Sequence, residues 1–278
     1  MFVMPEMLTP AMLIDTHCHL DASEFGDEAA HIRAQAQQCG VAQVVIPAVH
    51  RNTFAQAAEM AARLPGCSYA LGIHPMYVPV SDESDIALLR EQIAQRLPQD
   101  ARLVAVGEIG LDYFVPALRE APLAEKQEWF YREQLKIARD FDLPVLLHVR
   151  RSQDQILKHL RRIPVHGGIA HAFNGSHHQA MEFIKLGFKL GFGGTMTFSG
   201  SRQIRRLAAE LPPESIVLET DAPDIPPAWL HGQRNSPAEL PQIAQVLAEL
   251  RGWTPEETAR ITTQNAIAAM PRLEALLR

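Results

Sequence analysis

Short apolar runs alternate with longer amphipathic stretches along nearly the whole chain. The strand-like runs are Ala11–Asp15, Val41–Val49, Tyr69–His74, Leu103–Glu108, Pro144–Val149, Gly167–His171, Phe188–Phe192 and Ile216–Asp221. They are short, rich in β-branched residues and bounded by Gly, Pro or Asp, as buried strands are. Between them, helical periodicity predicts helices over Asp27–Cys39, Asn52–Leu64, Asp82–Leu97, Leu123–Asp142, Gln153–Arg162, His177–Leu186 and Arg202–Leu211, with Pro237–Leu250 and Pro255–Met270 closing the chain. Ser81, Ser201, Ser236 and Thr254 stand immediately before four of these helices as candidate caps.

Strands that alternate with helices pair in parallel through crossovers. Eight such units in about 250 residues is the size of a (β/α)8 TIM barrel. A doubly wound sheet is the structural alternative, but it usually carries a Gly-rich first turn, and none follows the first strand here. No Pro/Gly/Ser-rich linker or charge block divides the chain, so residues 1–278 are expected to form one domain.

Composition narrows the class. With 47% hydrophobic and 21% charged residues, disordered, collagen-like and coiled-coil chains are excluded. A net charge of −6 argues against a protein that coats nucleic acid, yet leaves room for a local basic cleft or for bound cations. Cys18, Cys39 and Cys67 form no CxxC and no even framework, which fits a reducing compartment. The opening MFVMPEMLTPAMLID has no Lys or Arg and does not read as a signal peptide. No apolar run approaches the roughly 20 residues needed to span a bilayer. The expected location is the cytoplasm, with no membrane association and no obligatory protein partner evident.

The candidate chemistry lies in where the 12 histidines fall. The first strand runs into Asp15-Thr16-His17-Cys18-His19, and strand alternation puts His17 and His19 on one face and Cys18 on the other. Alone, this is either a chelating pair or two satisfied histidines. The fourth run finishes in Glu108 and the fifth in His148-Val149-Arg150. The sixth finishes in His171 and the eighth in Asp221. A single carboxylate of this kind often makes a structural ion pair. Several apolar strands that each finish in a metal-competent side chain point instead to one site at the C-terminal mouth of a barrel. Four histidines and two carboxylates there suit two borderline divalent ions with a position open for water.

His17-Cys18-His19 after Ile-Asp-Thr, Val-Gly-Glu108-Ile-Gly-Leu-Asp, Pro-Val-Leu-Leu-His148-Val-Arg150, His171-Ala-Phe-Asn-Gly and Leu-Glu-Thr-Asp221-Ala-Pro together resemble the TatD family of metal-dependent hydrolases. Five motifs in order, from about Leu13 to Asn265, carry the resemblance. The stretch after Pro144 and the run Arg234-Asn235-Ser236-Pro237 are most like the family's YjjV-type branch. The resemblance implies an amidohydrolase-like TIM barrel acting on phosphodiesters or DNA, with metal-activated water as the nucleophile. It makes His17, His19 and Asp221 ligands of one ion, His148 and His171 ligands of a second, and Glu108 the bridging carboxylate. Zn, Mn, Co or Ni suits such a mixed donor set, and Mg is less natural among four imidazoles.

Asp221 is the candidate for orienting or deprotonating the water. For substrate contacts, His74 either donates to a phosphate or is a structural histidine before a turn. Arg150 either grips phosphate or pairs with Asp15 or Glu219. Asn174 either reaches substrate or shapes its loop, and Asp112 is placed to support a ligand histidine. The remaining histidines have ordinary readings, with His31 and His159 expected in solvent. Trp129 and Phe130 read as core, and Trp229 as a cover for the barrel mouth or a stacking surface. The expected substrate is a nucleic-acid end or a small phosphodiester. The rivals are an ester or amide substrate, such as a D-aminoacyl-tRNA, and a binding protein in which metal only stabilises the fold.

Overall fold

In a computed structural model, described over residues 12–277, the apolar runs become eight strands: β1 (Leu13–Asp15), β2 (Val41–Pro47), β3 (Cys67–Leu71), β4 (Leu103–Asp112), β5 (Val145–Arg150), β6 (Gly168–Ala170), β7 (Phe188–Phe192) and β8 (Ile216–Leu218). They pair in parallel, in sequence order. The helices between them are α1 (Ala29–Gln38), α2 (Phe54–Arg63), α3 (Glu83–Arg96), α4 (Leu123–Asp140), α5 (Gln153–Leu160), α6 (His177–Lys185) and α7 (Arg202–Glu210), followed by α8 (Leu240–Arg251) and α9 (Pro255–Ala269). Sequential order excludes the doubly wound alternative, whose order reverses at a switch point. The first eleven residues lie outside the described ones. They include most of the stretch read against a signal peptide, and Ala11, the predicted start of the first strand. No described helix is long and apolar enough to cross a membrane.

The barrel closes where β1 meets β8. Thr16 N donates to Leu218 O at 3.1 Å, Asp221 N to His17 O at 2.8 Å, and His19 N to Ala222 O at 2.8 Å. Asp15 reinforces the seam from inside, accepting from Thr220 N and Thr220 Oγ1 at 2.9 and 2.6 Å. Most of the core lies between strands and helices. A second apolar cluster fills the barrel with Ile14, Val45, Ala70, Val104, Leu146, Ile169 and Val217, and Met270 and Leu273 after α9 close its floor. Two residues beyond Leu146 and Ile169, on the same strand face, stand His148 and His171. The apolar plug thus forms the base of the polar site.

The caps differ in part from expectation. Thr254 accepts from Glu257 N and Ser236 from Ala238 N. Ser201 makes no capping bond. At α3 the cap is Asp82 rather than Ser81, because Asp82 accepts from Ser84 N while Asp85 accepts from Asp82 N. The carboxylate pair completes a reciprocal box one residue later.

β4 also departs from the pattern, running four residues past Glu108 to Asp112. Val106 pairs with Val145 and Ile109 with Leu147, so three positions of β4 face two of β5. A bulge of this kind re-aims a side chain out of the regular alternation, and here Glu108 lies inside it. Gly110 then sits opposite His148 with φ +150, where a Cβ would overlap the His148 carbonyl. Gly110→Ala is expected to destabilise the fold by about 3 kcal/mol, or ~5 °C in Tm, through combined strain and overpacking. Thermal unfolding measures this directly.

Candidate metal centre

The predicted residues meet at the C-terminal mouth of the barrel. His17 and His19 follow β1, Glu108 and Asp112 belong to β4, and His148 and Arg150 to β5. His171 follows β6, and Asp221 follows β8. His17, Glu108, Asp112, His171 and Asp221 are buried; His19 and His148 are half-buried. Three non-glycine residues at these strand ends, Arg151, Ala172 and Asp221, take φ between +44 and +56. Such strained backbone persists where the surrounding structure holds it, and it clusters at functional sites.

Glu108 divides the centre in two. Its Oε2 lies 3.2 Å from His17 Nε2 and 3.5 Å from His19 Nε2. Its Oε1 lies 2.8 Å from His171 Nε2 and 2.9 Å from His148 Nδ1. Asp221 Oδ1 completes the first group, 3.5 Å from His17 Nε2 and 3.6 Å from His19 Nε2, and the two imidazole nitrogens are 3.3 Å apart. An ion held tetrahedrally at about 2.0–2.1 Å places its donors about 3.3–3.4 Å apart. The measured separations of 3.2–3.6 Å match that edge. Three groups are able to hold a metal: His17, His19 and Asp221; His17, Glu108 and His171; and His74, Glu108 and His148.

The electrostatics favour cations. Burial opposes charge on Glu108, but the surrounding histidines outweigh it and hold the carboxyl well below its usual range. Burial also opposes charge on His19 and His171, yet the carboxylates, Glu108 foremost, raise them to about 9 and about 10. Burial keeps His17 neutral, lowered to about 3. Without ions, the carboxylates draw positive charge onto the imidazoles as protons.

His74 differs from the other four histidines. Its Nδ1 accepts from Met76 N at 3.1 Å, so the neutral ring carries its proton on Nε2. That Nε2 points into the site, 3.4 Å from Glu108 Oε1 and 3.0 Å from His148 Nδ1. Burial lowers its pKa to about 4, which keeps it a neutral donor. Asp112 Oδ2 lies 3.1 Å from His148 Nε2, which fixes the tautomer that turns Nδ1 inward.

Arg150 pairs with neither carboxylate expected for it. Asp15 is occupied by Thr220, and Glu219 accepts from Ala172 N. The Arg150 guanidinium lies over the Phe114 ring, 3.8 Å from its centroid, with Asp112 Oδ2 at 3.9 Å. Asn174 is exposed in the loop after β6, and its carbonyl accepts from Gln153 Nε2 at 2.6 Å. Trp229 is half-buried, its Nε1 donating to Glu239 Oε2 at 2.7 Å. His159 is buried rather than solvated, because Glu128 on α4 meets its Nε2 at 3.0 Å. Phe114 and Arg151 beside Arg150 went unmarked in the sequence, since loop residues carry no periodic signal.

A family profile described as TatD related DNase matches residues 14–270. The chain belongs to the TatD family. Among curated TatD relatives it is 42% identical to an uncharacterized metal-dependent hydrolase, YjjV, of Escherichia coli K12, over 91% of this chain and 95% of the relative. It is 30% identical to human deoxyribonuclease TATDN3, over 96% of this chain and 97% of the relative. The crystal structure of the E. coli YjjV protein superposes with a TM-score of 0.87 at 37% identity, covering 93% of this chain and 98% of that one. This TatD protein is therefore a metal-dependent hydrolase built on a TIM barrel.

Proposed function

We propose that the protein hydrolyses phosphodiester bonds in DNA with a binuclear centre. The reading rests on one observation: a single buried carboxylate, Glu108, presents one oxygen to His17 and His19 and the other to His148 and His171. In this reading His17, His19 and Asp221 would hold one ion, His148 and His171 would hold the other, and the Glu108 carboxylate would be shared between the two groups. Bound divalent ions would polarise the phosphoryl group and lower the pKa of water.

The protein's own side chains supply the rest. Asp221, at the outer edge of the first group, orients the attacking water and accepts its proton. His74 donates its Nε2 proton to a phosphoryl oxygen, and Arg150 offsets the charge that develops there. Asn174 contacts the substrate from the β6 loop. The name of human TATDN3 supports a DNA substrate. The free cysteines Cys18, Cys39 and Cys67 support work in the cytoplasm, and the single eight-stranded sheet supports one domain over residues 1–278.

The test loads separate samples with Zn, Mn, Co, Ni or Mg. Each is assayed on DNA, methyl p-nitrophenyl phosphate and p-nitrophenyl acetate beside a His17→Ala/His19→Ala variant. Phosphodiester turnover that the variant loses is the expected result. Turnover of the carboxyl ester alone, or equal activity in the variant, would overturn the reading.

A further inference from the structure

Two buried carboxamides on one helix grip the backbone on either side of the centre. Gln127 and Gln134 stand seven residues apart on α4, so they share a face and lie about 10.5 Å apart along the axis. Gln134 Oε1 accepts from Ile73 N at 2.7 Å, and its Nε2 donates to Ile73 O at 3.1 Å. Gln127 repeats the arrangement on Asp112. Its Oε1 accepts from Asp112 N at 3.0 Å and its Nε2 donates to Asp112 O at 3.3 Å, with Leu118 O as a second acceptor. Each amide thus closes on the N–H and C=O of a single residue. Glu128, next on α4, accepts from the Tyr113 hydroxyl at 3.0 Å and ties down the same segment.

The gripped residues lie where the sheet gives out. β3 ends at Leu71, two residues before Ile73, and Asp112 is the last residue of β4. Buried backbone groups need partners, and here side-chain amides supply them. Glutamine suits the task because it carries an acceptor and a donor in one plane. A carboxylate would set an oxygen against the carbonyl, and an apolar side chain would leave both backbone groups bare.

What each grip carries decides its role. Ile73 immediately precedes His74, whose Nε2 lies 3.0 Å from His148 Nδ1. Asp112 Oδ2 lies 3.1 Å from His148 Nε2. The His148 ring is therefore met at both nitrogens by residues hung from the same helix. It is only half-buried, so packing alone does not enclose it. A shift of the Asp112 backbone would draw Oδ2 off Nε2 and let the ring turn. A shift at Ile73 would displace the His74 donor and leave Asp112 in place.

We propose that Gln127 and Gln134 are positioning residues for the centre. Gln127 acts through Asp112 to aim His148 Nδ1 at the position assigned to the second ion, and Gln134 acts through Ile73 to aim the His74 donor at the phosphoryl oxygen. This rests on the binuclear phosphodiesterase reading above and adds the residues that hold its geometry.

The test compares the full-length protein with Gln127→Met, Gln134→Met and Asn265→Leu. Methionine fills the same space without a donor or an oxygen. Asn265 is a buried amide at the opposite end of the barrel, its Nδ2 donating to Pro213 O and Ile216 O at 2.7 and 2.8 Å, and its variant controls for lost stability. Cobalt(II) is titrated into each metal-free protein by calorimetry and by its d–d absorption, and kcat and KM are measured on methyl p-nitrophenyl phosphate. Gln127→Met is expected to weaken one of two ions by about 10- to 100-fold and to change its absorption band, with the other ion unaltered. Gln134→Met is expected to keep both ions and the parental KM while kcat falls about tenfold. Asn265→Leu should lower Tm and leave both ions and kcat as in the parent. Gln127→Glu and Gln134→Glu keep the acceptor for the gripped N–H and serve the same comparison if a methionine variant does not fold.

Losses that merely follow Tm in all three variants overturn the positioning roles. If the parent takes up two ions and cleaves the diester, and both glutamine variants match it, the positioning roles fail and the activity reading survives. If Gln127→Met loses one of two ions but the parent cleaves no phosphodiester, the role of Gln127 stands. The activity reading then fails, and with it the donor role of His74 that Gln134 serves.

Discussion

Replacing Glu108 with glutamine is expected to lower kcat/KM on a phosphodiester by about 1,000-fold or more, equivalent to about 4 kcal/mol of transition-state stabilisation. The side chain keeps its size, so the buried bulge in β4 should still form. One of its two oxygens becomes an amide that donates hydrogen bonds and cannot ligate. Because Oε1 and Oε2 face different histidine groups, both lose the negative charge and, whichever way the amide turns, one also loses its oxygen donor. Metal analysis of the dialysed variant should show about one ion per chain, against about two expected for the parent. Full metal content with full turnover would mean that Glu108 bridges nothing.

Chelation should act on both activity and stability. Turnover is expected to fall to background and to return when the ion is restored. Two ions, each present at about 100 times its Kd, contribute about 5 kcal/mol in total, so their removal should lower Tm by about 9 °C. The pH dependence has a definite sign. Without ions, His19 and His171 are raised to about 9 and about 10, above the ordinary imidazole value near 6.5. Their protonation stabilises the ion-free fold at neutral pH, and that support is lost as pH climbs through about 9 and 10. Ion binding must expel the same protons, so affinity rises over that range. The gap in Tm between loaded and stripped protein should therefore widen with pH. Calorimetry in buffers of different ionisation enthalpy should detect proton release on binding. A gap that narrows with rising pH would contradict this charge assignment.

Much of the centre was legible because strand periodicity is rigid. A spacing of two keeps His148 with Arg150 on β5, while His17 and His19, just past the end of β1, still bring their Nε2 atoms within 3.3 Å of each other. The eight apolar runs likewise required parallel pairing. What escaped depends on register and on distant partners. The bulge that carries Glu108 exists only when β4 is laid against β5, so the run appeared to stop where the chain merely shifts phase. His159 looked like a solvated helix residue because its acid, Glu128, lies 31 positions away on another helix. Phe114 and Arg151 acquire their relation only when two loops fold beside each other.

The seam between β1 and β8 has a consequence for the order of assembly. Asp15 and Thr220 bond across 205 residues of chain, and His17, His19 and Asp221 converge at the same place. On a growing chain the first two donors are made long before the third, and closing so large a loop is slow. An ion picked up early can hold only a partial grip, which tightens when the last strand arrives. With an ion in the proposed site, the completed set of donors would work as a reversible cross-link between the two ends of the barrel, a latch that is set last.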